Sequence, residues 1–243
     1  MNRKMIRAIK SGTFALVTVL CAAGPGRAAD AKTQYPSMAP LDQYLMADRD
    51  AEIALARSAA PPSIAKDARV LVLGKHGYDT AVEGTNGFIC MVGRNWTDGF
   101  DRPEFWNPKN RGPACYNPQA ARSVLPIDLM RTKFALAGQT KEEIHESMKA
   151  AIAKGELPPL EPGAMIYMMS KHQRLNDSAR HWHPHLMFYV PIGDAKTWGA
   201  DKPDSPIFAT PRFNGAPEPL TELIIVVSTW SDGTPADSGD HAH

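Results

Sequence analysis

The chain lacks the short motifs that identify several familiar enzyme classes. Its 243 residues contain no glycine pattern of a dinucleotide or phosphate-binding loop, which argues against those nucleotide sites. No G-x-S-x-G sequence is present, which argues against a serine hydrolase of the nucleophile-elbow type. The three cysteines form no C-x-x-C pair, so neither a redox-active dithiol nor a cysteine-based zinc site is indicated. Runs of basic residues and low-complexity blocks are absent as well.

Long apolar runs are also missing, apart from a short one near the N-terminus. Residues 14–23 are apolar and cover roughly half of the ~20 residues that a membrane-spanning helix requires. Small residues follow and allow cleavage after Ala28, or as late as Ala31. The basic residues before the apolar run are Arg3, Lys4, Arg7 and Lys10. This pattern predicts a Sec-type signal peptide over residues 1–28, and hence a periplasmic or secreted protein without stable membrane insertion.

Removal of this leader changes the expected charge and redox state of the protein. Residues 1–28 carry five basic residues and no acidic one, so the net charge falls from +1 to −4. A mildly acidic protein does not fit nucleic acid as a partner, because that partner requires basic surfaces. Cys21 leaves with the leader, and an oxidising compartment favours pairing of Cys90 with Cys115. We expect this disulfide to be structural and to join a strand to a proline-rich loop.

The periodicity of the remaining chain predicts one α+β domain over residues 29–230, followed by a polar, disordered tail over residues 231–243. A largely antiparallel sheet, an N-terminal helix and a central helical pair are expected. Thr140 and Glu143 form the pattern of a capping box at the start of the second central helix. Asn86-Gly87 predicts a hairpin turn. The predicted helices cover residues 40–59, 127–137 and 140–154, the predicted strands cover residues 69–73, 78–83, 87–92, 164–170, 181–190 and 222–230, and residues 98–126 are expected to form a long loop.

The strand predicted over residues 181–190 opens with three alternating histidines. Because successive side chains on a strand point to opposite faces, His181, His183 and His185 are expected on one face. The interleaved residues, expected on the core face, are Trp182, Pro184, Leu186 and Phe188. Imidazoles two residues apart on a strand can converge on one metal ion, and Pro184 can bend the strand to shorten the span.

This histidine row predicts a metal-binding protein, with zinc favoured over copper or another transition metal and with its catalytic status open. His172 could reach the row across a hairpin as a fourth ligand. Four methionines near the histidines would suit copper(I): Met165, Met168, Met169 and Met187. Asp177 and Glu161 could orient an imidazole through its second nitrogen. The expected partner is a metal ion or a small molecule.

The histidine segment also resembles the signature of the histidine-triad family, in which three histidines alternate with apolar residues. That resemblance implies a phosphohydrolase in which His183 is the nucleophile and His181 and His185 orient it and stabilise the transferred group. A third interpretation is a non-enzymatic envelope protein whose histidines form only a surface.

Over a longer stretch the chain resembles a group of exported proteobacterial proteins to which no activity is attached. The resemblance implies export and a fold of its own. It rests on the histidine segment and on the patterns Phe105-Trp106-Asn107-Pro108, Arg122-Ser123-Val124-Leu125-Pro126, Glu161-Pro162-Gly163-Ala164-Met165 and Trp230-Ser231-Asp232-Gly233.

Overall fold

A mostly antiparallel sheet of eight strands organises the residues that the computed structural model describes, which are 34–178, 182–211 and 216–236. The strand order is β2-β1-β3-β4-β5-β6-β8-β7, and only β1 and β3 pair in parallel. The strands are β1 (Arg69–Gly74), β2 (Gly77–Val82), β3 (Ile89–Gly93), β4 (Gly112–Tyr116), β5 (Met165–Met168), β6 (His185–Pro191), β7 (Ile207–Pro211) and β8 (Leu220–Val226). The helices are α1 (Arg49–Arg57), α2 (Pro62–Ala65), α3 (Pro118–Ser123), α4 (Leu125–Leu136) and α5 (Lys141–Ala153).

This arrangement confirms the predicted α+β domain with an N-terminal helix and a central helical pair. The predicted signal peptide lies outside the described residues, as do the last residues of the chain. Residues 231–236 of the predicted tail fold back, with Trp230 and Thr234 joined by backbone hydrogen bonding. In the described part of the chain, no helix is long and apolar enough to cross a membrane.

Each face of the sheet carries its own core. Helices α3, α4 and α5 cover one face, where Met91, Tyr116 and Ile166 belong to the largest buried cluster. The other face packs Val70 and the disulfide-bonded Cys90 against small residues of the N-terminal segment. Both faces are therefore buried over most of the central strands.

Local sequence determines the start of α5 as predicted. Oγ1 of Thr140 accepts a hydrogen bond from the backbone N–H of Glu143 at 3.2 Å, and the Glu143 carboxylate accepts one from the Thr140 N–H at 2.8 Å. Ile144 and Met148 are fully buried on the stripe that faces the core. The helix ends before Gly155, whose φ of 70° is a conformation that glycine adopts at little cost.

Two predicted segments have different boundaries in the structure. The helix expected over residues 40–59 is wrong as a single element, because Asp48 caps a new helix by accepting hydrogen bonds from the N–H groups of Asp50 and Ala51. The loop expected over residues 98–126 contains β4 and α3. Strand β7 was not predicted at all.

The predicted hairpin at Asn86-Gly87 is wrong, because the chain crosses the start of β1 and β3 pairs with β1 in parallel. A Cβ added to Gly84 would lie 2.1 Å from the backbone nitrogen of Arg69, so only glycine fits at this crossing. Asn86 holds the crossover by donating to the carbonyl of Ile64 and accepting from the N–H of Phe88.

The predicted disulfide between Cys90 and Cys115 is present, but it joins two neighbouring strands instead of a strand and a loop. The two cysteines lie directly opposite each other in the β3–β4 ladder, with their Cα atoms 4.0 Å apart. Both are fully buried.

Candidate functional site

Strand β6 begins at His185, four residues later than the sequence predicted. His183 precedes the strand and is half-buried, and His181 lies outside the described residues. Residues 182–184 lie outside any strand, so the prediction of a strand through His183 is wrong. Proline cannot donate to a ladder, although the carbonyl of Pro184 still accepts a hydrogen bond from the N–H of Val227 at 2.9 Å.

The assignment of the two faces of β6 is also wrong, because His185 lies on the core face. It stands opposite Met168 of β5 and Val226 of β8, and it shares a face with Met187 and Tyr189. Met187 and Tyr189 belong to the main core, which helices α3 to α5 cover, whereas Leu186 points to the other face and is half-buried. As a result, His185 is only 3% exposed.

The surroundings of His185 fix its tautomer and its charge. Nδ1 lies 2.7 Å from the backbone oxygen of His183, and because a carbonyl only accepts, Nδ1 carries the hydrogen. Nε2 is then the nitrogen with a free lone pair, and it meets no hydrogen-bond donor among the described residues. Burial lowers the pKa of His185 from its ordinary value of 6.5 to about 4. The imidazole is therefore neutral at pH 7 and can act as a ligand.

Trp182 connects His185 to a buried acceptor on another side chain. The Trp182 ring lies 4.8 Å from the His185 ring and 5.6 Å from the His183 ring, measured between centroids. The carbonyl of Trp182 accepts a hydrogen bond of 2.6 Å from Nε2 of Gln173, which fixes the orientation of that amide. Oε1 of Gln173 is buried without a hydrogen-bond partner. Two side chains that contact Trp182 thus each present an acceptor without a hydrogen-bond donor in the described part of the chain.

The other predicted ligands lie in different surroundings. His172 is exposed, and its backbone N–H donates to Oγ of Ser170 at 3.2 Å. Met168 stands opposite His185, whereas Met165 stands opposite Phe188 and so belongs to the other face. Within residues 34–178, 182–211 and 216–236, no three His, Cys, Asp or Glu side chains converge on a position suited to a metal ion. A metal centre here would need thioether, amide or undescribed ligands as well.

The two carboxylates considered as orienting groups are engaged by other residues. Asp177 accepts a hydrogen bond of 2.5 Å from the hydroxyl of Tyr35 and one of 2.8 Å from Arg174, and these bonds, the one from Tyr35 foremost, lower its pKa to about 2. Glu161 receives two hydrogen bonds from Arg122, at 2.8 and 2.7 Å. The orienting acceptor of His185 is instead the His183 carbonyl, a role that no sequence pattern indicates.

Comparisons with known proteins find no relative of this chain. No protein family matches the chain, and neither the curated proteins nor the solved structures contain a match. What the protein does must therefore be inferred from His185 and the side chains around it.

Proposed function

We propose that the protein binds a transition metal in the cell envelope, with Nε2 of His185 as the central ligand and His183 as the second. The observation that carries this proposal is the buried, neutral imidazole of His185, whose Nδ1–H donates to a backbone carbonyl while Nε2 lacks a partner in the described part of the chain. Metal-bound histidines commonly hold their second nitrogen in this way, because the hydrogen bond orients the ring and raises its basicity.

The remaining ligands differ between the two metals that we consider. Zinc prefers nitrogen, thiolate and carboxylate ligands, so a zinc centre would draw on His183 and on His181. Copper(I) accepts thioethers, and Met168 is the cross-strand neighbour of His185 on the same face. The sequence favours zinc, and a Met168→Leu substitution separates the two, because it should weaken only the binding of copper(I).

The test is a metal titration of the mature chain, starting at residue 29, made without an affinity tag and stripped with a chelator. We expect one equivalent of Zn²⁺ or Cu⁺ to bind in competition with a chromophoric chelator. His185→Asn should lower the affinity at least tenfold, because asparagine can still donate to the His183 carbonyl but offers no nitrogen in the place of Nε2.

Matched controls keep the test specific. His172→Asn removes an exposed imidazole and should leave the affinity unchanged. Asparagine replaces His241 and His243 in every variant, which removes two imidazoles that would compete for the added metal. Failure of the wild type to bind either metal, or unchanged binding by His185→Asn, would refute the proposal.

The histidine-triad interpretation is tested with the same chelator-treated protein. A metal-independent phosphohydrolase should hydrolyse phosphodiester or pyrophosphate substrates in the presence of chelator, and His183→Asn should abolish that activity. Such a result would replace metal binding as the proposed function.

A further inference from the structure

A cleft of about 740 Å³ opens between three segments that are distant in sequence. Residues 35–41 form one side, residues 102–106 form the second, and the junction of α4 and α5 over residues 135–142 forms the third. Its volume falls within the roughly 300–1,000 Å³ of small-molecule sites. The residues of the cleft are remote in sequence from the histidine segment, and Tyr35 also donates a hydrogen bond to Asp177.

The inner wall of the cleft is apolar, and hydrogen bonds hold it to the N-terminal segment. Phe105 and Trp106 line it, and both belong to the main core, with exposures of 2% and 4%. The hydroxyl of Tyr44 donates to the carbonyl of Trp106 at 2.8 Å and accepts from the N–H of Ala39 at 3.2 Å. These bonds attach the N-terminal segment to the wall, so the cleft is part of the fold and not a gap beside a loose strand.

The rim of the cleft carries an unsatisfied positive charge. Lys141, the first residue of α5, is half-buried and makes no hydrogen bond or ion pair with any residue that the structure describes. Arg102 is 62% exposed and lies 3.7 Å from Asp98. Glu142 also lines the cleft but is exposed to solvent. A lysine at the rim of an apolar cleft, with no acidic partner among the residues that the structure describes, offers an anion a charge-assisted hydrogen bond.

We propose that this cleft binds an amphipathic organic acid. The apolar body of the ligand lies against Phe105 and Trp106, and its carboxylate pairs with Lys141. An apolar wall with a single unpaired cation distinguishes such a ligand from neutral lipids, which offer no anion, and from amines, which Lys141 repels. This site does not depend on the proposed metal centre.

The experiment is calorimetric titration of the chelator-treated mature chain with octanoate, octanol and octylamine, which share one alkyl chain. Octanoate should bind at least tenfold more tightly than octylamine. Lys141→Gln should weaken octanoate binding about tenfold while leaving octanol binding unchanged, because glutamine stays polar, is one bond shorter than lysine and carries no charge.

Lys149→Gln is the matched control, since Lys149 lies on the same helix, is 53% exposed and pairs with Glu146. It should bind octanoate as the wild type does. The proposal is overturned if octanoate does not bind at millimolar concentration, or if Lys141→Gln binds it unchanged. Equal affinity for all three head groups would also overturn it and would indicate a purely apolar docking surface.

Discussion

The guanidinium of Arg131 and the carboxylate of Glu218 form a two-point ion pair that is entirely excluded from solvent. Both hydrogen bonds measure 2.8 Å, and both side chains have 0% exposure. Arg131 also donates to the carbonyl of Asp98 at 2.7 Å and lies over the ring of Phe100 at 4.4 Å. This pair joins α4 to the segment before β8, across 87 residues of sequence.

Breaking this pair from one side should destabilise the protein strongly. Glu218→Gln keeps the shape of the side chain but leaves the buried guanidinium without its counter-charge, and such losses cost about 3–5 kcal/mol. Urea denaturation should show the decrease in the free energy of unfolding. Arg122 and Glu161 provide the control, because they form the same two-point geometry at an exposed site. Glu161→Gln should leave the denaturation midpoint unchanged, and equal losses at the two sites would contradict the role assigned to burial.

Features that depend on neighbouring residues were predictable from the sequence, and features that depend on distant ones were not. The capping box of Thr140 and Glu143 is local, so the start of α5 could be predicted. Asn86-Gly87 has the local chemistry of a hairpin, yet the chain there crosses β1, because the backbone near Gly84 packs against Arg69. No local sequence pattern indicates this close contact between the two backbone segments.

The histidine segment shows the same limit at the candidate site. Alternation correctly indicated that His185 and Leu186 point to opposite faces, but it could not indicate which face the helices cover. Because Trp182, Leu186 and Phe188 are apolar, the sequence favoured their face as the one that the helices cover, and this was wrong. The buried, unpartnered Oε1 of Gln173 was likewise invisible, since it depends on a contact with Trp182 nine residues away.

The buried imidazole of His185 should make stability depend on pH in a defined window. Its pKa is about 4 in the folded protein and ordinarily 6.5, so between these values the unfolded chain binds a proton that the folded chain does not. The free energy of unfolding should therefore lose nothing to His185 above pH 6.5. It should decrease as the pH falls towards 4, by about 3 kcal/mol in total. Urea denaturation of metal-free protein from pH 7 to pH 4 measures this. His185→Asn should show a flatter profile, and parallel profiles would contradict the assignment.

The buried disulfide should resist reduction while the protein is folded. Cys90 and Cys115 both have 0% exposure, and thiol–disulfide exchange requires access to a sulfur atom. Reductant followed by iodoacetamide should label neither cysteine in native buffer and both in urea, as read by mass spectrometry. A Cys90→Ala/Cys115→Ala variant should lose about 3 kcal/mol of unfolding free energy, as expected for a bond across 25 residues. Rapid labelling without urea would show that the strands open readily.

Asp201 should protect the sheet from association through its outer strand. Strand β7 forms one edge of the sheet. Asp201 occupies the free side of β7, because its N–H donates to the carbonyl of Ile207 and its Oδ1 accepts from the N–H of Ala209. Phe208 on the same strand is 48% exposed, so an uncovered edge would offer both hydrogen bonds and apolar surface to another chain.

The φ of Asp201 is 56°, so a test of this protection must separate backbone strain from the loss of the acceptor. Asp201→Asn keeps an acceptor oxygen and tolerates that φ, whereas Asp201→Gly relieves the backbone but leaves the N–H of Ala209 without Oδ1. We expect light scattering over a concentration series to show association only for Asp201→Gly. If backbone strain were the dominant effect at this position, Asp201→Gly would associate less than Asp201→Asn. That result would contradict edge protection.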